Sequence, residues 1–338
     1  MKLTSFRYKD KTVHFGFALE GRLYSFNHLT NTFGMNVPGL NTMYSYISDT
    51  RKAGEAARSV LDMLSGTDNP ERLKICTVEE ANLLPAVPEP AALLDFSLAP
   101  RHLANSARTL IKHEFPWPLS SVIGPIVARN KSKKPAGVLH YYKGNHNEIS
   151  GQGDVIPWPA YTSYLDVEPE LAFVTGLSTD QHGSPAPVIA GYCIFNDASA
   201  RDVQLPEMTA LGPTRSKDFS RSNGLGAFLV TPDEISDPLN IPVTITIGDR
   251  FTWKGTTAEY YATPGKVLEY CAGIFTVQPG TVIGMGTIPG CCGLDNDLWL
   301  MPGDRISIEF QGLGNLDQTI GHPEKPVKSR WGKRKDII

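Results

Sequence analysis

The sequence has few of the features that mark membrane, secreted or nucleic-acid-binding proteins. Nowhere do about 18 apolar residues follow one another, the minimum for a membrane-spanning helix. The first residues, MKLTSFRYKD, carry charges where a signal peptide has an apolar run. The 32 basic and 35 acidic residues leave a formal net charge of -3, which does not favour nucleic acid or an anionic membrane as a partner. We expect a cytoplasmic protein that acts on a small molecule.

Cysteine is also scarce, with five residues in a chain of 338 and no C-x-x-C pair. This pattern predicts neither a disulfide framework nor a zinc site, and it fits a reducing compartment. Cys291 and Cys292 are adjacent, with no basic residue beside them. We therefore expect this pair to pack in a tight turn and not to supply a nucleophile.

The remaining composition, 41% hydrophobic and 20% charged residues, is that of a soluble globular protein with one large core and a smaller unit. Residues 1 to 35 alternate apolar and polar side chains, which predicts a small antiparallel sheet. Residues 48–65 have the apolar spacing of a helix capped by Ser48 or Asp49. The prolines of residues 83–96 indicate an extended linker.

We predict a small N-terminal domain (1–85), a catalytic domain (86–325) and a basic C-terminal tail (326–338).

The larger domain is predicted to be rich in strands. Only two segments in it, 100–115 and 264–275, have convincing helical patterns, whereas Gly-Pro, Pro-Gly and Gly-Asp pairs mark turns throughout. Few crossover helices favour an α+β fold with a mixed or antiparallel sheet over a doubly wound one. The glycines of GMGTIPG and GLGAF lack the spacing and the following helix of a dinucleotide site, which excludes a nicotinamide cofactor.

Acidic side chains are concentrated in two apolar stretches. Asp166, Glu168 and Glu170 alternate in LDVEPELAFVTG, so an extended chain points them to the same side, and Asp197 follows the apolar run of GYCIFNDASARDVQ. Carboxylates this close must bind a proton or a cation. Ligation by carboxylates alone favours Mg²⁺, Mn²⁺ or Ca²⁺ over zinc.

These motifs, with KDF at 217–219, GAFLVTPDEI at 226–235 and GTIPG, occur in an order that resembles the fumarylacetoacetate hydrolase superfamily over roughly residues 90–315. The resemblance implies a catalytic domain built as a mixed β-sandwich roll, a small N-terminal β-containing domain and a homodimer. It also implies Mg²⁺ or Mn²⁺, with Ca²⁺ as a further option, held by Glu168, Glu170 and Asp197. Asp166 lies outside this ligand set and is expected to be structural.

The similarity continues upstream to the larger, fumarylacetoacetase-like members. It implies that Asp95 is a further metal ligand and that His102, seven residues later, is the general base. A histidine in this role needs an orienting carboxylate, for which Asp295 in CGLDND is the candidate. By the same resemblance, Lys217 stabilises oxyanion charge at the metal site.

Four further residues match substrate-contacting positions of the family: Tyr142, Arg201, Gln204 and Thr287. Tyr142 and Thr287 are equally compatible with a place in the core or in a turn. For Arg201 the alternative is a salt bridge with Asp202 or another acid.

The predicted chemistry is cleavage of a carbon–carbon bond next to a carbonyl group in a β-diketo or 2-oxo acid. A hard cation stabilises the enolate-type oxygens of such a substrate, and a histidine makes water nucleophilic. Fumarylacetoacetase has tyrosine, tyrosine and arginine where this chain has Ser97, Met208 and Ile111. These departures predict a substrate whose distal group is less anionic or differently shaped.

Two alternatives remain open from the sequence. The same chelated 2-oxo acid is the starting point for decarboxylation, isomerisation, hydration or a lyase step such as ureidoglycolate cleavage. A ligand-binding protein without turnover is the third possibility, against which the retained acids and Lys217 argue.

Overall fold

Residues 2–7, 13–19 and 22–25 form an antiparallel sheet, as predicted for this part of the N-terminal segment, in the computed structural model, which describes residues 1–9, 11–134, 137–179, 183–324, 329–332 and 334. The described helices are α1 (Phe26–Thr32), α2 (Met43–Ser48), α3 (Thr50–Ser65), α4 (Pro100–Glu114), α5 (Leu119–Lys131), α6 (Arg201–Met208), α7 (Pro264–Ala272) and α8 (Gly293–Asn296). No helix in this part of the chain is long and apolar enough to cross a membrane.

Strands are more numerous than helices, as expected for a β-rich α+β fold. In chain order they are β1 (Lys2–Arg7), β2 (Val13–Leu19), β3 (Arg22–Ser25), β4 (Cys76–Thr77), β5 (Asn82–Leu83), β6 (Ala92–Phe96), β7 (Tyr141–Gly144), β8 (Ile149–Ser150), β9 (Val155–Ile156), β10 (Leu165–Asp166), β11 (Pro169–Thr179), β12 (Pro185–Asp197), β13 (Ser199–Ala200), β14 (Asn223–Leu225), β15 (Leu229–Val230), β16 (Pro242–Ile247), β17 (Phe251–Thr256), β18 (Thr281–Gly284), β19 (Arg305–Phe310) and β20 (Gly314–Ile320).

The main sheet has the order β4-β3-β2-β1-β15-β12-β11-β18-β6-β7 and runs without a break from the N-terminal strands into the catalytic region. A second sheet has the order β17-β16-β19-β20-β9. Most pairs are antiparallel, but β18 with β6 and β20 with β9 are parallel, so both sheets are mixed. The mixed, strand-rich fold predicted from the sequence is confirmed.

The long strand β11 shows how the layers pack. Side chains alternate between the two faces of a strand. Leu171 and Phe173 accordingly join a core shared with the second sheet, whereas Ala172 and Val174 join a core shared with α2 and α3. Burial of a side chain as large as Leu171, Phe173 or Val174 contributes roughly 1.5–3 kcal/mol to the stability of the folded protein. The main sheet is therefore covered by a sheet on one face and by N-terminal helices on the other.

Three predictions about local structure were incomplete. Residues Ala92–Phe96 of the predicted linker form β6, inside the main sheet. The predicted sheet ends at Ser25, whose side chain caps α1 by accepting the N–H of His28, and the six-residue helix α2 was also missed. Helices α5, α6 and α8 were missed as well, because the first two contain Pro125 and Pro206 and the third is a single turn. The division at residue 85 stays a prediction. Of the predicted tail, residues 326–328, 333 and 335–338 lie outside the described part, and Trp331 stacks on His113 with 4.6 Å between ring centroids.

Candidate active site

The strand order brings distant acids to one end of the main sheet. Because β11 and β12 are antiparallel, the beginning of β11 lies beside the end of β12, and Glu170 is paired with Phe195, two residues before Asp197. Strand β18 separates β11 from β6 and pairs Gly284 with both Ala172 and Asp95. Asp95, Glu170 and Asp197 thus meet although they are up to 102 positions apart in the chain, from 95 to 197.

These three carboxylates form a compact, buried cluster. Each offers an oxygen, and the three oxygens lie within 4.8 Å of one another. Asp95 Oδ1 and Asp197 Oδ1 are buried without a hydrogen-bond partner among the described residues. A buried acceptor without a donor is costly, so these atoms call for a proton or a cation.

The backbone leaves space for this cluster at Gly284. A Cβ atom at that position would lie 2.7 Å from Glu170 Oε2 and 2.8 Å from Asp95 Oδ1, which is too close. The donor set contains only carboxylate oxygens, the type that Mg²⁺, Mn²⁺ and Ca²⁺ prefer. The residues present therefore fit a hard divalent cation.

Burial is the main cause of the electrostatic strain in the cluster. Burial raises the pKa of Asp95 and of Glu170 well above their ordinary values. The negative charge of Asp197 raises the pKa of Asp95 further, and that of Asp95 raises the pKa of Glu170 further. Burial also raises the pKa of Asp197, although Lys217 opposes it. In the absence of a cation the cluster therefore retains protons that a cation would displace.

Glu168 lies next to the cluster but is held differently. Its Oε2 accepts hydrogen bonds from Ser199 Oγ (3.0 Å) and from Lys217 Nζ, and Lys217 Nζ also contacts Asp197 Oδ2. Burial opposes ionisation of Glu168, but Arg201 and Lys217 outweigh it and hold its pKa well below the usual range. Glu168 is thus an anion paired with Lys217, and its assignment as a metal ligand stays a prediction.

Arg201 links Glu168 to Asp166. Its Nη2 lies 2.8 Å from Asp166 Oδ2 and 2.8 Å from Glu168 Oε1, and its side chain is almost completely buried. The salt-bridge alternative for Arg201 therefore has a geometric basis, although the partners are these two acids and not Asp202. Asp166 in turn accepts the backbone N–H of Gly293 at 2.6 Å, which fixes the start of α8.

Helices α4 and α8 bring His102 and Asp295 together at the edge of the cluster. His102 Nδ1 donates to Asp295 Oδ1 at 2.8 Å, and His102 Nε2 faces Glu168 Oε1 at 3.3 Å. Burial alone would lower the pKa of His102, but Asp295 and then Glu168 outweigh it and raise the pKa to about 9. The same contact lowers the pKa of Asp295 against the effect of burial. This arrangement presents Nε2 to the acids with its ring orientation fixed by Asp295.

Comparison with known proteins identifies the family of the chain. Residues 122–321 match the family model for the C-terminal domain of fumarylacetoacetate hydrolase, which is more than half of the chain. The chain belongs to the fumarylacetoacetate hydrolase family. A fumarylacetoacetate hydrolase domain-containing protein 2 homolog of Dictyostelium discoideum is 30% identical over 189 residues, covering 52% of this chain and 61% of that protein. The matches with the first such relatives span less than two thirds of those proteins' own length.

Solved structures of the family show the same fold. Maleylpyruvate hydrolase from Sphingobium sp. SYK-6, in complex with manganese(II) and pyruvate, has a TM-score of 0.62 and 19% identity, covering 95% of this chain and 99% of that chain. A 2-hydroxyhepta-2,4-diene-1,7-dioate isomerase from Mycobacterium marinum has a TM-score of 0.59 and 18% identity, covering 96% of this chain and 100% of that chain. At such identities the likeness concerns the fold.

The remaining residues suggested by the family pattern surround the same acids. Tyr142 Oη donates to Asp197 Oδ2 at 2.6 Å, and Thr287 Oγ donates to Glu168 Oε1 at 2.9 Å. Gln204 Oε1 accepts from Arg201 Nη1 at 3.0 Å. All of the predicted site residues therefore lie in one contiguous region. The assignment of Tyr142, Arg201, Gln204 and Thr287 to substrate contacts stays a prediction.

Sequence reasoning missed the polar residues that support the acid–base pair. Ser106 Oγ donates to Asp295 Oδ1 at 3.2 Å, and Asn105 Nδ2 donates to Asp295 Oδ2 at 3.2 Å. Both follow His102 on α4 at the i+3 and i+4 positions, which lie on the same face of a helix. That spacing was a signal available in the sequence. Ser199, which contacts Glu168, gave no such signal because the contact is formed between β13 and the segment before β11.

Proposed function

We propose that this protein is a divalent-metal-dependent hydrolase that cleaves a carbon–carbon bond in a β-diketo acid of the acylpyruvate or fumarylacetoacetate type. The observation that carries the proposal is the orientation of His102, whose Nδ1 is bound to Asp295 while its Nε2 faces the carboxylate site. A fold that only chelated a 2-oxo acid would not need a buried imidazole held in this way. Family membership and the manganese and pyruvate of the Sphingobium relative support the choice of cofactor and substrate class.

The cation is proposed to be held by Asp95, Glu168, Glu170 and Asp197. When bound, it supplies Lewis-acid polarisation of two substrate oxygens and stabilises negative charge on them. Lys217, which contacts both Glu168 and Asp197, places a second positive charge at the same position. The site is thus built to stabilise developing negative charge in a buried environment.

His102 is proposed to act as the general base. Its Nε2 takes a proton from water, and Asp295 holds the imidazolium through Nδ1. The hydroxide adds to the distal carbonyl carbon, the bond from that carbon to the methylene carbon breaks, and its electron pair leaves as the enolate of the 2-oxo acid. His102 then returns the proton to that methylene carbon, which balances the reaction.

Protonation of His102 sets a condition on this mechanism. A base must be neutral, whereas Asp295 and Glu168 raise the pKa of His102 to about 9 against the effect of burial. Part of this rise comes from the negative charge of Glu168. A cation bound by Glu168 would neutralise part of that charge. Cation binding is therefore expected to favour the neutral, basic form of the imidazole.

The distal part of the substrate is proposed to differ from that of fumarylacetoacetate. Ile111, at the position of an expected arginine, is buried on α4 and faces α5, 3.9 Å from a Cβ built at Gly124. Met208, at the position of a tyrosine, is 56% exposed at the end of α6. Neither side chain can bind a carboxylate, so a neutral or shorter acyl group fits better.

Isomerisation of a related 2-oxo acid is the second candidate, because hydrolase and isomerase relatives share this fold. The test is a screen of acylpyruvates, oxaloacetate and 2-oxo-dienoates with Mg²⁺ or Mn²⁺, following the loss of enol absorbance and identifying the products. We expect a carboxylic acid and pyruvate from an acylpyruvate. Carbon dioxide or a rearranged product of unchanged mass would contradict hydrolysis.

We also propose that the chain forms a homodimer, which the family resemblance implied. Light scattering on the eluate of a size-exclusion column measures this directly. A mass equal to that of one 37.0 kDa chain would contradict it.

A further inference from the structure

A thiol lies against the acid–base pair and has no place in the proposed reaction. Cys292 Sγ is 3.8 Å from His102 Nδ1, and Cys292 is completely buried. Its sulfur, a nitrogen of His102 and an oxygen of Asp295 all lie within 4.8 Å of one another. A sulfur, a nitrogen and an oxygen in such a group are the donors that zinc-class ions prefer.

We propose that Cys292, His102 and Asp295 form a second metal site, selective for Zn²⁺ and similar thiophilic ions and separate from the carboxylate cluster. No zinc signature is visible in the sequence, because Cys292 and Asp295 lie at the start of α8 whereas His102 lies on α4, 190 residues before Cys292. The site is therefore a product of the fold.

The two separations measured from His102 Nδ1 are close to those of a tetrahedral site. Zinc bonds of about 2.0–2.3 Å place neighbouring ligand atoms about 3.3–3.6 Å apart. Here the distance is 2.8 Å from His102 Nδ1 to Asp295 Oδ1 and 3.8 Å from Nδ1 to Cys292 Sγ. These two separations need to change by roughly half an ångström or less, and the third, between Cys292 Sγ and the Asp295 oxygen, is within 4.8 Å and would have to close toward the same range. Zinc would replace the proton on Nδ1 and the proton on the thiol, and His102 would keep its Nε2 proton directed at Glu168.

The surrounding charge favours a cation at this position. The charges that act on Cys292 are three carboxylates, Asp295, Asp166 and Glu168, and one guanidinium, that of Arg201. The fourth coordination position would be left for water, and Ser106 Oγ, 3.2 Å from Asp295 Oδ1, is a polar group beside the proposed site. Three protein ligands and one water is a common zinc arrangement.

The two metal positions differ in the ions they select. Asp95, Glu170 and Asp197 offer oxygen only, which suits Mg²⁺ and Mn²⁺, whereas a thiolate selects softer ions. Zinc at the second site would occupy Nδ1, break the contact that orients His102 and so stop it from acting as a base. This functional consequence rests on the proposed function, but the binding itself does not.

The test is metal binding to the full chain saturated with Mg²⁺. Calorimetry with Zn²⁺ and absorption spectra with Co²⁺ are recorded for the wild type, for Cys292→Ser and for Cys291→Ser. Cys291 is the matched control because it is adjacent and equally buried but packs toward Gly255. We expect one Zn²⁺ per wild-type chain and a thiolate-to-cobalt charge-transfer band. Both should persist in Cys291→Ser, whereas Cys292→Ser should lose the band and bind Zn²⁺ at least about tenfold more weakly.

Equal Zn²⁺ affinity in Cys292→Ser and wild type would overturn the proposal, because zinc would then occupy the carboxylates or the surface. If Cys292→Ser does not fold, the wild-type cobalt spectrum decides, since absence of a thiolate band is sufficient to reject the site. Turnover with added Zn²⁺ gives an independent result. Zinc binding at Cys292 without any effect on a verified reaction would leave the site intact and contradict the role of His102 in the proposed function.

Discussion

The charge of Asp295 should control how the stability of the metal-free protein depends on pH. Asp295 and Glu168 raise the pKa of His102 from 6.5 to about 9, against the effect of burial. Because one pKa unit corresponds to about 1.36 kcal/mol, this difference amounts to about 3 kcal/mol. Asp295 is the larger of the two contributors and burial opposes both, so Asp295→Asn should remove more than half of this difference, about 2 kcal/mol, while preserving the size of the side chain.

The sign follows from the direction of the pKa change. The pKa of His102 is higher in the folded than in the unfolded protein. Its contribution to the free energy of unfolding is therefore complete below pH 6.5 and is lost as the pH rises through about 9. The free energy of unfolding of the wild type should therefore fall across this range. In Asp295→Asn the fall should be smaller by the stated amount.

The assay is urea denaturation between pH 6 and 9.5 in the presence of a chelator. Asp297→Asn is the matched control, because Asp297 lies two residues further on and contacts His113 and Lys112 on the same helix α4. Burial would raise the pKa of Asp297, but these two partners outweigh it and lower the pKa to about 2. The contribution of Asp297 to the free energy of unfolding is therefore present above pH 3.8 and is lost as the pH falls through about 2. The control should leave the alkaline limb unchanged. An alkaline limb in Asp295→Asn as steep as that of the wild type would refute the reasoning.

Three further substitutions test the site. His102→Ala should lower turnover of a verified substrate by about 10²–10⁴-fold, measured in steady-state kinetics, while Mg²⁺ affinity changes little; unchanged kinetics would remove His102 from the mechanism. Glu168→Gln should weaken Mg²⁺ binding in calorimetry, and undiminished affinity would contradict its role as a ligand. Gly284→Ala should lower Mn²⁺ affinity at least about tenfold, because its Cβ would lie 2.7 Å from Glu170 Oε2 and 2.8 Å from Asp95 Oδ1; normal affinity in calorimetry would show that this close approach is not required.

Patterns local in sequence predicted much of the fold. The helix beginning at Thr50 is capped by Asp49, and the helix beginning at Pro100 has that proline in its first turn, as the sequence predicted. The helix predicted near 264–275 spans Pro264–Ala272. The missed helix α5 contains Pro125, which together with Gly124 indicated a turn. Proline lacks the N–H of an interior hydrogen bond, but packing of α5 against α4 compensates for this loss.

The candidate site was predicted where short motifs carry it and missed where only tertiary contacts create it. Asp166, Glu168 and Glu170 alternate in sequence, but their surroundings differ: Asp166 accepts the N–H of Gly293, Glu168 is paired with Lys217, and Glu170 lies with Asp95 and Asp197. The expectation that Cys292 only packs in a turn overlooked His102, which is 190 residues away in sequence. Such proximity depends on the packing of α4 against α8 and not on any local pattern.

Carboxylates from three strands are proposed to hold a hard cation beside an oriented histidine. An anomalous difference map from crystals soaked in Mn²⁺ tests it most directly. We expect one strong peak in contact with oxygens of Asp95, Glu170 and Asp197, on the side of the cluster that Glu168 and His102 face. A map without manganese at these three carboxylates, from crystals in which the protein is folded, would contradict it.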